Sequence, residues 1–186
     1  TGKIIGVGAG AWSEAFGRGF RSIFDEKYYN SRMTILGNKY NGTELHLSSY
    51  GPGSKMSERE SDLALSMTNL WGIKHSQRSA TLFINELRAG MSDDYSRMLK
   101  RLTGDVDPKE LATYQNYVNR MTGWGRMPEG DVWAGVGSLM FSARRNLGLV
   151  QAPGYLFNTN ARVAREAWLD FASFFGVGMT VLGAAE

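Results

Sequence analysis

The chain has 186 residues, 42% of them hydrophobic, which is enough to bury one core and sits at the common size of a single domain. Its 21 Lys and Arg nearly balance 18 Asp and Glu, and the charges are interspersed rather than gathered into one block, which argues against a dedicated reader of duplex DNA. Cysteine is absent, so disulfide frameworks and thiolate metal sites are excluded and the redox compartment stays open.

Thr1 to Ala11 is glycine-rich and mildly apolar, without the charged region and cleavage site of a signal peptide. It is expected to form a lead-in over residues 1–10, followed by one helical domain over 11–186 with a sub-boundary near 50–56. The start at Thr1 and the apolar stop at Leu182-Gly183-Ala184-Ala185-Glu186 suggest a piece of something longer. From Ala11 to about Leu36, Phe16, Phe20, Ile23, Phe24 and Tyr28 recur at helical spacing and predict a helix, broken near Asn30. The cluster Gly37-Asn38-Lys39-Tyr40-Asn41-Gly42 signals a turn, Glu44 to Leu47 reads as an extended arm or one small strand, and Tyr50-Gly51-Pro52-Gly53-Ser54 ends regular structure.

Ser57-Glu58-Arg59-Glu60 has the form of a capping box and should open a helix through about Asn69. The strongest helical pattern runs from Lys74 to Leu102, with Leu82, Phe83, Leu87, Met91, Tyr95, Met98, Leu99 and Leu102 at mostly helical intervals. Asp107-Pro108 marks another start, since Asp caps and Pro loses nothing at the first helical position; this helix should stop at Gly123-Trp124-Gly125. A shorter helix is expected from Asp131 to about Arg145, a break at Ala152-Pro153-Gly154, and a last helix capped by Thr159 or Asn160. The fold class is therefore all-α, about six helices in an irregular bundle with extended or loop segments near residues 37–56.

Candidate chemistry is sparse. Gly6-Val7-Gly8-Ala9-Gly10-Ala11 follows Lys3-Ile4-Ile5 and has the G-x-G-x-x-A form of a dinucleotide turn. That motif needs a feeding strand and a second strand ending in an acid, whereas Asp25 and Glu26 read as helix, so a glycine lead-in is favoured and no cofactor is expected. His46 and His75 have no partner at metal-ligand spacing and read as surface or capping residues. No G-x-S-x-G elbow exposes a serine, and Asp93-Asp94 and Asp105/Asp107 read as helix-start anions rather than acid–base pairs, so no catalytic residue is assigned.

Lys100-Arg101, Arg144, Arg145, Arg162 and Arg165 are candidates to touch phosphates, and Trp124, Trp133 and Tyr155 to stack on bases; solvated helix faces and core aromatics are the alternative reading. From Phe171 to Ala185 no charged side chain occurs over 15 residues, and Ala172, Gly176, Thr180 and Ala184 recur every fourth position as a small-residue stripe. Such a stripe permits close helix packing, but the stretch is short of the ~20 residues that span a bilayer, so a core or oligomer interface is favoured over insertion.

Several segments together resemble the C-terminal region of the large polyvalent proteins of bacteriophages. Phe20 to Tyr29 is similar to that family's F-x-S-E-K-Y-Y helix, and Trp71-Gly72-Ile73-Lys74-His75-Ser76-Gln77-Arg78-Ser79-Ala80 to its G-I-K-x-S-E-R-A start of a long helix. Leu82 to Ala89 resembles F-x-N-x-L-R-A, Tyr117 to Gly125 the helix end F-I-N-x-x-T-G-x-G, Met140 to Arg145 x-F-S-P-R, and Arg162 to Ala185 the closing helix. Order and spacing hold over nearly the whole chain. Ala143 stands where the family often has Pro, and Arg145 where it often has an aromatic, so the loop after the fifth helix should differ.

The resemblance implies context rather than chemistry: virion cargo packaged in the capsid and delivered with the genome to the host envelope or cytoplasm, with enzymatic domains elsewhere in a longer chain. It implies a non-catalytic anchoring module of an internal or ejection protein, docked on the portal, the inner core or its own copies. The alternatives are a membrane-active segment of a genome-delivery channel, built on the last helix, and a DNA tether using Arg144, Arg145, Arg162 and Arg165.

Overall fold

The computed structural model describes residues 2–48, 71–124, 147, 148 and 150–183. One residue breaks the first helical run. Asp25 has extended dihedrals (φ −126°, ψ 96°) and its carboxylate accepts the Tyr28 N–H at 2.8 Å, ending α1 (Gly2–Phe24) and capping α2 (Glu26–Tyr40). The expected break near Asn30 is thus displaced: Asn30 lies inside α2, its carbonyl accepting the Thr34 hydroxyl, and an Asp able to satisfy a free N–H won the boundary. Residues 2–10 are helical and run on into the rest of α1, so no strand and turn exist there to receive a pyrophosphate. The turn expected from Gly37 begins only at Asn41, after Tyr40 has docked on the next helix, and Gly42 takes the left-handed φ of 76° that the reversal requires.

The buried side of α1 is not the one that carries the phenylalanines. Ala11, Ala15, Gly19 and Ser22 line it, and Phe16, Phe20 and Phe24 point to solvent. The reason is helix proximity. α3 (Trp71–Thr103) is 33 residues long, about 50 Å at 1.5 Å per residue. It runs antiparallel to α1 so closely that a Cβ on Gly90 would lie 2.9 Å from the Ala11 Cβ, and one on Gly19 would lie 3.0 Å from the Phe83 Cβ. Only small side chains fit that seam.

α2 reverses direction and runs alongside α3, from the Glu26–Arg78 pair to Tyr40, whose hydroxyl donates to Asp93 Oδ1 at 2.8 Å. Where an arm or small strand was expected over Glu44 to Leu47, residues 45–48 form an arm without strand structure. α4 (Pro108–Met121) starts as read: Asp107 accepts the Lys109 N–H at 2.9 Å, Pro108 opens the helix, and Gly123 (φ 85°) follows its end. It folds back antiparallel on α3, with Tyr95 stacked on Tyr114 at 3.8 Å. The break expected at Ala152-Pro153-Gly154 is a short 3-10 helix (Ala152–Phe157), which tolerates Pro in its first turn. Asn160, one of the two expected caps, accepts the N–H groups of Arg162 and Val163 and begins α5 (Ala161–Gly183).

The described residues thus form α1 to α5, one 3-10 helix and a few further helical residues at 147, 148, 150 and 151, with no strand among them, an all-α fold. Leu82, Leu99, Tyr114, Tyr117, Val118, Val163 and Ala167 form the centre of the core. The predicted breaks and helices at 50–54, 57–69 and 131–145 lie outside the described residues.

Candidate assembly surface

Polar side chains in the interior are spent on joining segments. Asn85, fully buried, accepts the Ser48 N–H at 2.8 Å and donates to the Ser48 carbonyl at 2.7 Å. Asn119 accepts the His46 N–H at 2.9 Å and donates to the Glu44 carbonyl at 2.6 Å. Two amide side chains therefore do for the arm what a neighbouring strand would do, satisfying backbone groups that burial would otherwise leave unpaired. Arg88 completes the joint, donating to the His46 carbonyl, the Ser48 hydroxyl, and the hydroxyl and carbonyl of Thr122. Every one of these acceptors is neutral, and burial lowers the Arg88 pKa to about 10, which leaves it charged at neutral pH.

Two further joints hold α1 and α2 on α3. Arg78 donates to the carbonyls of Ser22 and Ile23, both at 2.6 Å, and so fastens the end of α1. Glu86, 1% exposed, receives Arg32 at 2.6 and 3.0 Å and Arg18 at 2.7 Å. Arg78, Asn85, Arg88, Asn119 and Thr122 all fall within the motifs quoted for the phage-protein resemblance, and each acts as a structural joint. Local spacing carries no signal for them, because their partners are mostly backbone groups distant in the chain.

Outside this interior lies an aromatic ridge. Trp12, Phe16, Phe20 and Phe24 stand at every fourth position of α1 and are 50%, 53%, 55% and 73% exposed. Successive rings contact each other, with centroids 5.2, 6.4 and 5.7 Å apart. Beside the ridge runs an apolar groove of about 560 Å³ between α1 and α3, closed by Ala80 and Phe83 and edged by His75. Large aromatics exposed in an unbroken row are uncommon on a monomer surface and mark contact sites. The repeat of aromatics was visible in the sequence; which side of the helix they occupy was decided by the small-residue seam opposite.

The residues singled out from sequence are dispersed. Ala172 is exposed on α5, Gly176 and Thr180 belong to the same helix, and Ala184 lies outside the described residues. Close helix packing through small residues is seen at Ala11, Ala15 and Gly19 of α1. Arg162 is bound to Glu110 at 2.9 Å, and Arg165 contacts Glu166 at 3.2 Å; Arg144, Arg145 and Trp133 lie outside the described residues. Lys100 and Arg101 are exposed at the end of α3. Tyr155 packs on Tyr117 and Trp124 stacks on His46 at 3.4 Å, so both rings already have partners within the chain.

The carboxylates are divided in the same way. Asp107 is a helix cap as expected, but Asp93 and Asp94 sit in mid-helix, where Asp93 takes Tyr40 and Lys39 and Asp94 takes Arg97. Asp170 accepts the Tyr117 hydroxyl at 3.0 Å, and burial lifts its carboxyl to about 6. Among the described residues no group of three or more His, Asp or Glu side chains is placed to hold a metal ion, and no helix is long and apolar enough to cross a membrane. No protein-family model, curated protein or solved structure matches the chain.

Proposed function

We propose that this chain is a non-catalytic assembly module, the helical anchor of a phage internal or ejection protein that is packaged near the portal or inner core and delivered with the genome. The observation that carries the reading is the aromatic ridge of α1, an exposed row of four large rings on a helix pinned to its neighbour by Arg78 and Glu86. A rigid scaffold presenting apolar side chains suits docking: the rings are held in place before binding, so little conformational entropy is lost on contact. The buried joints support the same reading, since Asn85, Arg88 and Asn119 are consumed in shape rather than presented to a substrate.

The test is protein mass spectrometry on purified, nuclease-treated particles of the phage whose genome encodes the chain. Its peptides should occur in DNA-filled particles and be depleted from particles that have ejected their DNA. Particles without the peptides would refute the assignment.

A further inference from the structure

α5 docks through a stripe that mixes core and acid. Val163, Glu166, Ala167 and Asp170 stand at steps of three, one and three, the spacing of a buried helix seam. Val163 and Ala167 sit in the core as that spacing requires, and Asp170 reaches across to α4, where its carboxylate accepts the Tyr117 hydroxyl at 3.0 Å. Glu166, one turn earlier, has a side chain only 23% exposed. Two carboxylates four residues apart on a helix repel each other when both are charged, and here they do so against the buried rings of Tyr114 and Tyr117 rather than in open water.

The groups around the seam leave that repulsion standing. From α4 it is faced by Glu110, Tyr114 and Tyr117, from α3 by Tyr95 and Asp94, and from the 3-10 helix by Tyr155. The arginines are engaged elsewhere: Arg162 is bound to Glu110, Arg97 holds Asp94, and Arg165 meets Glu166 at 3.2 Å from a position 68% exposed. Among the described residues Asp170 has the Tyr117 hydroxyl and no Lys or Arg as a partner. The attachment of α5 is also slighter than that of α1. α1 lies along α3 and is fastened by Arg78 and Glu86, whereas α5 rests mainly on the 3-10 helix and α4, through the Asp170–Tyr117 bond, the Arg162–Glu110 pair and the Trp168 indole N–H on the Leu156 carbonyl.

We propose that α5 is a proton-controlled latch, seated on α4 while Asp170 carries a proton and loosened when that proton leaves to solvent. The inference stands apart from the assembly reading and does not need it. Burial raises the Asp170 carboxyl to about 6, with Glu166 adding repulsion and the Tyr117 hydrogen bond opposing it; once α5 lifts away, the group returns to its ordinary value near 4. The seated helix therefore binds the proton more tightly than the lifted one, so the seat is firmest below about pH 4 and weakens as pH rises through about 6. Linkage makes the open fraction of α5 rise about tenfold between about pH 5 and pH 7.

Hydrogen-exchange mass spectrometry of the full 186-residue chain at about pH 5, 6, 7 and 8, corrected for the intrinsic pH dependence of amide exchange, tests this. Peptides from residues 161–173 should open about tenfold more at pH 7 than at pH 5, while those from the middle of α3 change less than about twofold. Asp170→Asn should keep α5 at its acid-level protection throughout. Glu166→Gln should move the midpoint to lower pH by removing the repulsion, and Tyr117→Phe should move it to higher pH by removing the bond that favours the charged form; a merely structural role would change protection without moving the midpoint. A flat α5 response in the wild type, an unaltered response in Asp170→Asn, or an equal loss of protection in α3 overturns the latch, the last by assigning the pH effect to the whole fold. Should Asp170→Asn fail to fold, the midpoint in Glu166→Gln decides alone, and an unmoved midpoint overturns the latch.

Discussion

Replacing Glu86 by Gln removes the charge that holds two helices on a third. The carboxylate is 1% exposed and takes three hydrogen bonds, from Arg32 Nε and Nη2 through its two oxygens and from Arg18 Nη1. Gln keeps the shape but turns an NH2 group toward a guanidinium and leaves Arg32 without its anion, while Arg18 keeps Glu14 at 2.9 Å. Breaking a fully buried ion pair costs about 3–5 kcal/mol. Arg18 and Arg32 retain 36% and 23% exposure and can hydrate in part, so the expected loss is smaller, about 2–3 kcal/mol. For a chain of this length that lowers the melting temperature by about 5–10 °C.

Urea titration followed by circular dichroism is the assay, with Glu14→Gln as the control, since Glu14 is 66% exposed and its loss should fall within about 0.5 kcal/mol of zero. Adding Arg32→Gln to Glu86→Gln should cost less than the two single changes taken together, because each has already broken the same joint. If Glu86→Gln were as mild as Glu14→Gln, the claim that this carboxylate fastens α1 and α2 to α3 would be wrong.

Asn119→Ala should cost about 1–3 kcal/mol and speed exchange of the His46 amide, which hydrogen-exchange mass spectrometry over the 44–48 arm would detect; unchanged protection would mean the amide clamp is dispensable. Two helical glycines, one in the α1/α3 seam and one on α2, should respond in opposite directions. Gly19→Leu should destabilise by about 1–3 kcal/mol, because its first added atom already meets Phe83 and the Ser79 carbonyl, whereas Gly37→Ala, with open space around it on α2, should gain about 0.5–1 kcal/mol in a thermal melt. Burial raises the Asp170 carboxyl to about 6 from an ordinary value near 4, with Glu166 adding repulsion and the Tyr117 hydrogen bond opposing it. The folded chain therefore holds a proton that the unfolded chain has released, so this contribution to stability is full below about pH 4 and is lost as pH rises through about 6. Asp170→Asn should flatten that part of the pH–stability curve and stabilise the protein at pH 7 by on the order of 2 kcal/mol; an unchanged curve would count against a buried, partly protonated Asp170.

The helices were legible where local chemistry decides them. Asp107-Pro108 and Asn160 cap helices through groups within three residues of themselves, and the long apolar periodicity of residues 74–102 needs no distant partner to be read. What escaped was set by packing. Phe16, Phe20 and Phe24 look like a core stripe by pattern, but Ala11, Ala15 and Gly19 on the other side let α3 approach more closely than any aromatic would allow, and the rings were left outside. Asn85, Arg88 and Asn119 gave no signal because their partners are carbonyls and amides some forty to seventy residues away. A small-residue seam is seen at Ala11, Ala15 and Gly19, between α1 and α3, whereas the surroundings of Gly176, Thr180 and Ala184, on which the stripe of the last helix rests, lie outside what is described.

The most direct test of the assembly reading is to follow the ridge into the particle. Phage carrying the wild-type chain and phage carrying Phe16→Ser/Phe20→Ser would be purified side by side and the copies per particle counted by quantitative mass spectrometry. Docking through the ridge predicts that the variant, folded and present in the lysate, is lost from the particles. Equal copy numbers in the two would contradict it.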